Sequence, residues 1–393
     1  MQAIKVQAGI VALSIVVLLM TACGGGGGGG TTTGTTTVLS AYVANYGDGT
    51  ISQYTINPST GTLTPKTPAT VPSIVGNAMS LPTSIAVNPN GKYAYVANSS
   101  AGISQFTIGP GGVLQSMNPA TISSGTSGYS PTSVAVDPSG KYLYAVNSAG
   151  SEVAQFTIDP ANGTLTSMST PTVCTFSPPS IPCALHSSVY AYITVDPTGN
   201  YVYVADQGND QVEQFSIGVN GGLSPIGTGS ISTVANSNPI SIGFDPAGKY
   251  AYVVNYGDGT ISQYTINPST GALAFASTVT PTLLNNATSI VIDRSGMYAY
   301  VANGSGLYQL PIDSSNGSLN AGTGVAPIAT GGTTPQSVAI DPSGKFVYVA
   351  NQYGTTAPNG SVSQFNVGSG FTYAQDVPAG NQAYFITTAV LKL

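Results

Sequence analysis

One short phrase returns seven times along this chain and narrows the folds open to it more than any other feature. Tyr-Val-Ala-Asn, or a near copy, begins at Tyr42, Tyr95, Tyr144, Tyr203, Tyr252, Tyr300 and Tyr348. Successive copies lie 53, 49, 59, 49, 48 and 48 residues apart. A fixed period of this size marks a stacked or radial repeat, in which no unit buries its apolar faces alone. The 393 residues therefore read as one repetitive body rather than as two or three unrelated domains.

Each unit follows the same grammar. A short apolar strand such as Thr132–Val136 leads into a turn of Asp-Pro-Ser-Gly type, found at Asn88–Gly91, Asp137–Gly140, Asp196–Gly199, Asp245–Gly248, Asp293–Gly296 and Asp341–Gly344. Asp caps the local backbone, Pro presets φ, and Gly takes the left-handed conformation that closes the hairpin. The Tyr-Val-Ala-Asn strand follows, apolar on both faces. A third strand then carries Gln before an aromatic residue, as in Gln53-Tyr54, Gln105-Phe106 and Gln364-Phe365, with Gln309-Leu310 as the exception. A turn like Asn57–Gly61 opens a looser fourth strand. Four short antiparallel strands per unit describe a β-propeller blade.

The ends complete the count. The first Tyr-Val-Ala-Asn has no leading strand before it, and Phe385–Val390 matches that strand with no partner after it. The expectation is an all-β, seven-bladed propeller over residues 39–393, closed by the last strand joining the first blade. Residues 45–61 and 255–271 are identical, as duplication of a unit would leave them. With these motifs the chain resembles the YVTN-type propellers and the lactonase-like seven-bladed family. That resemblance implies charged groups, Arg among them, that hold an anionic substrate and move a proton. Here Arg294 is the sole Arg, and it stands in a hairpin turn on the face away from the expected ligand site.

The amino terminus carries an address. Lys5 precedes an apolar stretch over Ala8–Ala22, too short for a membrane span. Residues 1–22 read as a signal peptide ending in Leu19-Met20-Thr21-Ala22-Cys23, which resembles the lipobox of bacterial lipoproteins. The resemblance implies cleavage before Cys23 and its acylation, so that the membrane is a partner through a lipid anchor. Gly24, in place of Asp, points to the outer membrane, with the protein facing the periplasm or the cell surface. Residues 23–38, Gly- and Thr-rich, form a tether.

Composition restricts the chemistry. Charged residues are 6% of the chain, against roughly 25% in a typical soluble domain. Eight basic residues and a net charge of −6 exclude nucleic acid as a partner. With Cys23 acylated, Cys174 and Cys183 remain in an insertion of the third unit and are expected to form a disulfide outside the cytoplasm; a metal site is the rival. His186, the only His, is the single candidate for general acid–base work. Asp206 and Asp210, with Asn209, could hold Ca²⁺ through oxygen ligands; solvated loop acids are the alternative. Tyr46 and Tyr256 follow the Tyr-Val-x-Asn strands and, with His186, are candidates for a ligand-binding face. No cofactor is implied, and a monomeric propeller is expected.

These features favour a lipid-anchored extracytoplasmic propeller acting as a surface binding or interaction module for a protein or glycan. The alternatives are a lactonase-like hydrolase of the 6-phosphogluconolactonase-like family and a structural protein of an extracellular assembly.

Overall fold

The computed structural model describes residues 37–392, apart from 78, 126–129, 148–151, 175–190, 280–283, 285, 321–325, 355–358 and 368–369. The described residues form seven antiparallel sheets. Their inner strands, in blade order, are Ala383–Lys392, Pro82–Val87, Pro131–Val136, Ala191–Val195, Pro239–Phe244, Ser289–Ile292 and Thr333–Ile340. The Tyr-Val-Ala-Asn strands lie second in each blade. Blade 1 is built from both ends of the chain: Thr37–Asn45 pairs antiparallel with Ala383–Lys392, from Thr37↔Lys392 to Asn45↔Ala383. That pairing closes the ring and removes two sheet edges.

Six sheets have four strands. In blade 6 the described residues give three, with two isolated bridges, Leu307↔Ile328 and Ile312↔Leu319, where an outer strand would run.

The repeated phrase is apolar on both faces because it is sandwiched. Ala41 and Val43 pack with Tyr348 and Ala350 of blade 7, while Tyr42 packs with Ala94 and Val96 of blade 2. Every Tyr of the phrase is fully buried. Its hydroxyl then needs an acceptor, and the next blade supplies one. Tyr42, Tyr95, Tyr144, Tyr203 and Tyr252 donate at 2.6 Å to the carbonyls of Gly112, Gly163, Gly221, Gly271 and Gly317. Tyr348 closes the circle by donating to Gly61 at 2.7 Å. Tyr300 departs: its hydroxyl accepts from Gln309 and its ring lies 5.4 Å from Phe371.

The recurring Gln makes a second clasp. The side-chain oxygens of Gln53, Gln105, Gln155 and Gln214 accept the N–H of Leu114, Leu165, Leu223 and Leu273 in the following blade, at 2.6–2.7 Å. Each such bond contributes about 1 kcal/mol net, and far more is lost if a buried partner is left unpaired. The hairpin Asp is equally occupied. Asp137 accepts the backbone N–H of Lys141 and Tyr142 at 2.8 and 2.7 Å and that of Ser139 at 3.0 Å.

Candidate functional site

The inner strands run from the face of the inter-blade connections to the face of the Asp-Pro-Ser-Gly hairpins, so their first residues ring one mouth of the central channel. Thr83, Ser84, Thr132, Ser133, Tyr192, Ile240, Ser241, Thr288, Ser289, Gln336, Ser337, Tyr384 and Phe385 line it. At one equivalent position, five blades carry Ser (84, 133, 241, 289 and 337), while blades 4 and 1 carry Tyr192 and Phe385.

These hydroxyls also join neighbouring blades. Ser84, Ser241, Ser289 and Ser337 accept the N–H of Val134, Ile290, Val338 and Ile386 at 3.3, 3.3, 3.2 and 3.4 Å. An Oγ that accepts keeps its own hydrogen free to donate. Thr83 and Thr288 spend theirs on backbone carbonyls. Burial pushes the Tyr192 phenol above its ordinary value, so it stays protonated and acts as a donor. Farther in, the wall becomes mostly apolar, with Ile242, Val291, Val338 and Ile340 beside Thr194, Thr387 and Thr388.

The sequence candidates fall in different places. Tyr46 is not part of the mouth's lining, but its ring lies 5.7 Å from that of Tyr384, which is. Tyr256 stands 38% exposed on the corresponding loop of blade 5 and is not part of the mouth's lining. Arg294 lies with Asn88, Asp341 and Thr388 at the hairpin end of the channel. Asp206 is buried and accepts the N–H of Gly208 at 3.1 Å and the amide of Asn209 at 2.7 Å. Asp210 turns elsewhere, to the N–H groups of Asn236 and Asn238 at 2.7 and 2.8 Å. Among the described residues no group of three or more His, Cys, Asp or Glu could hold a metal ion. Cys174 ends the outer strand of blade 3, whereas Cys23, Cys183 and His186 lie outside the described residues.

Two features escaped the sequence reading. Ser133 and Tyr192 were legible only by aligning the residue that precedes each inner strand's apolar run. Glu213 is the other. It holds the position of Ser52, Ser104, Ser262 and Ser363 in blade 4, and it is buried. Burial, and then the nearby Asp206, raise its carboxyl to about 9, against a hydrogen bond from Gln211 that lowers it.

A closed ring of seven sheets whose channel mouth gathers hydroxyls, a phenol and aromatic rings defines a propeller with a candidate site on its axis. The family can be named as well. The family model described as lactonase, seven-bladed β-propeller, matches residues 40–367, and the chain belongs to that family. No curated protein matches the chain. Among solved structures it is similar to a candidate 6-phosphogluconolactonase from Bacteroides fragilis, with 21% identity, TM-score 0.69, and 92% of this chain and 100% of that one covered. The periplasmic gluconolactonase PpgL of Pseudomonas aeruginosa gives 19%, 0.68, 90% and 99%. A Lactobacillus plantarum protein gives 21%, 0.71, 90% and 99%.

Family membership overturns the expectation of a surface binding or interaction module and favours the lactonase alternative. The physical reason lies in what low charge excludes. A mouth with no fixed cation among its described lining residues is poorly suited to an anionic substrate, but opening a neutral lactone needs hydrogen-bond donors rather than a guanidinium.

Proposed function

We propose that this protein is a lactonase that hydrolyses an uncharged lactone at the channel mouth. The observation that carries the reading is the mouth's lining: hydroxyl, phenol and amide groups with aromatic walls, and no charged side chain among the described residues there. Water adds to the lactone carbonyl, a tetrahedral oxyanion forms, and the ring C–O bond breaks to give the hydroxy acid. The charge develops on the carbonyl oxygen, where preorganised donors lower the barrier most. Ser84, Ser241, Ser289 and Ser337, held by the N–H bonds they accept, and the protonated Tyr192 are donors that the mouth offers. His186 is the candidate for taking the proton from water.

Between the activities in the names of similar structures, gluconolactonase and 6-phosphogluconolactonase, the uncharged substrate suits this mouth. The test is turnover of D-glucono-1,5-lactone against its 6-phosphate by the purified protein. The neutral lactone should be opened at least ~10-fold more efficiently, since the phosphate gains no partner. Opening of neither above the buffer rate, or preference for the phosphate, would reverse the reading. His186→Ala should lower kcat by ~100-fold or more if that side chain is the base. The signal-like residues 1–22 and Cys23 further support export and lipid anchoring, which loss of fatty-acid labelling in Cys23→Ser would verify.

A further inference from the structure

We infer that the face carrying the Asp-Pro-Ser-Gly hairpins is the one this propeller turns toward an anionic lipid surface, so that the channel mouth opens away from the membrane. The inference rests on the reading of Cys23 as a lipid anchor and adds which face the anchored ring presents.

The chain contains eight Lys and Arg residues. Lys5 belongs to the signal-like segment, and all the others lie in the hairpin half of the ring. Lys92, Lys141, Lys249 and Lys345 each follow the Gly of a hairpin, and Arg294 stands inside one. Lys392 ends the inner strand of blade 1. Lys66 donates at 2.7 Å to the Gly111 carbonyl, in the turn between the third and fourth strands of blade 2, which lies on the same side. The four hairpin lysines and Arg294 are exposed, and their charged groups make no hydrogen bond or ion pair among the described residues.

The carboxylates divide otherwise. Of the fourteen Asp and Glu, five sit in the hairpins, where they are buried and turned inward to backbone N–H groups. Asp196 accepts those of Asn200 and Tyr201 at 2.9 and 2.8 Å, and Asp341 those of Lys345 and Phe346 at 2.8 Å each. Asp159 and Asp313 open third-to-fourth strand turns on the same side. The remaining seven lie in the mouth half, Asp48, Asp210 and Asp258 among them, with no Lys or Arg beside them. The hairpin half thus sets exposed cations over buried, occupied carboxylates, whereas the mouth half is acidic throughout.

Anionic lipid attracts nearby Lys and Arg and repels carboxylates, and both effects fade within a Debye length, about 8 Å at physiological salt. The nearer face therefore decides the orientation, not the net charge of −6. The entry of the chain into the ring agrees with this. Thr37 pairs with Lys392 at the hairpin end, so the segment leading from Cys23 joins the ring on that side.

The chain has no Trp, so one introduced Trp reports alone. Residues 23–393, which contain the whole ring, are held through an amino-terminal hexahistidine tag on vesicles containing nickel-chelating lipid and a dansyl-labelled headgroup. Ser343→Trp puts the energy donor in the blade 7 hairpin, and Met79→Trp puts it in the exposed connection entering blade 2 on the mouth side. The ratio of energy transfer, hairpin site over mouth site, should be at least ~3-fold higher on phosphatidylglycerol vesicles than on phosphatidylcholine, each exposed lysine near such a surface being worth about fivefold. Lys92→Gln, Lys141→Gln, Lys249→Gln and Lys345→Gln together should return the ratio to its phosphatidylcholine value, with the melting temperature unchanged. Salt at about 0.5 M should do the same without any substitution. A ratio indifferent to lipid charge, a reversed ratio, or one that survives both the four substitutions and salt would each overturn the inference. The tag replaces the acyl chain, so the two readings fail separately. Absence of fatty acid on Cys23 removes only the lipoprotein reading, and a ratio indifferent to lipid charge removes only this one.

Discussion

Blades 1 and 5 contain the same 17 residues, 45–61 and 255–271, in two different neighbourhoods. Within the blade the two copies behave alike. Asn45 donates to Thr50 and Ser52 at 2.9 Å each, and Asn255 to Thr260 and Ser262 at 2.8 and 2.9 Å. Asp48 and Asp258 each accept the N–H and hydroxyl of the Thr two residues on. Between blades the copies part. The Tyr54 hydroxyl donates to the Pro378 carbonyl of blade 7 at 2.5 Å, but that of Tyr264 is buried with no hydrogen-bond partner among the described residues. Asp48 also takes the N–H of Asn381 at 2.8 Å. Gln53 accepts from Leu114, whereas Gln263 donates to the Asn316 carbonyl at 3.0 Å. Identical residues thus make identical turns, and adjacent sheets decide what the outward-facing groups are worth.

The largest effect should be the same in both copies. Gly61 and Gly271 have φ of +70° and +72°, and an added Cβ would come within 2.3 and 2.2 Å of the Phe346 and Tyr201 rings. Gly61→Ala and Gly271→Ala should each cost about 3 kcal/mol in chemical denaturation, from left-handed strain and overpacking together. Unequal losses would show that the closing junction yields where an internal one does not.

Blade 4 sharpens the comparison, because it carries Asp206 and Glu213 where the twins carry Asn and Ser. The unfolded Glu213 carboxyl loses its proton near 4.5, while the folded one keeps it to about 9. Its contribution to stability is complete below the lower value and is lost as pH rises through the upper one, by up to about 1.4 kcal/mol per pH unit. Glu213→Gln should flatten that slope. Melting temperatures of wild type and variant from pH 5 to 9 would check it; parallel curves would reject buried protonation.

The twin tyrosines come next. Tyr54→Phe orphans the Pro378 carbonyl and should cost about 1 kcal/mol, whereas Tyr264→Phe removes an unsatisfied hydroxyl and should be neutral or stabilising. Equal losses in urea titrations would contradict the assigned hydrogen bonds. Smallest is the aspartate pair: Asp48→Ala should exceed Asp258→Ala by about 1 kcal/mol, the single bond to Asn381, in the same titrations.

Much of the ring was legible because its repeat is local chemistry. Tyr-Val-Ala-Asn announced a strand buried on both faces, and Asp-Pro-Ser-Gly announced its hairpin. The unpaired Phe385–Val390 announced closure, confirmed by its pairing with Thr37–Asn45. The strand starting at Thr37 begins two residues before the expected boundary at residue 39. Less of the site could be read. Of the two loop tyrosines expected on the ligand face, Tyr46 touches a lining residue, Tyr384, and neither it nor Tyr256 lines the mouth; Arg294 lies among the hairpin residues of the other face. Ser133 was hidden because in sequence it is one more Ser before a strand. Its distinction is a buried Oγ with no hydrogen-bond partner among the described residues, where the Ser of four other blades accepts an N–H from the next blade. The same holds for Glu213, whose Asp206 neighbour lies across a strand pair.

The order of residues by itself determined the number of blades, the turn geometry and the closing partner, since these depend on spacing and on φ preferences within a few residues. Only the tertiary structure decided which hydroxyls are spent and which are left over, because hydrogen-bond satisfaction is a property of atoms that meet across blades some 50 residues apart. The identical segments of blades 1 and 5 demonstrate the division: the same letters, the same turns, and different partners for Tyr54 and Tyr264.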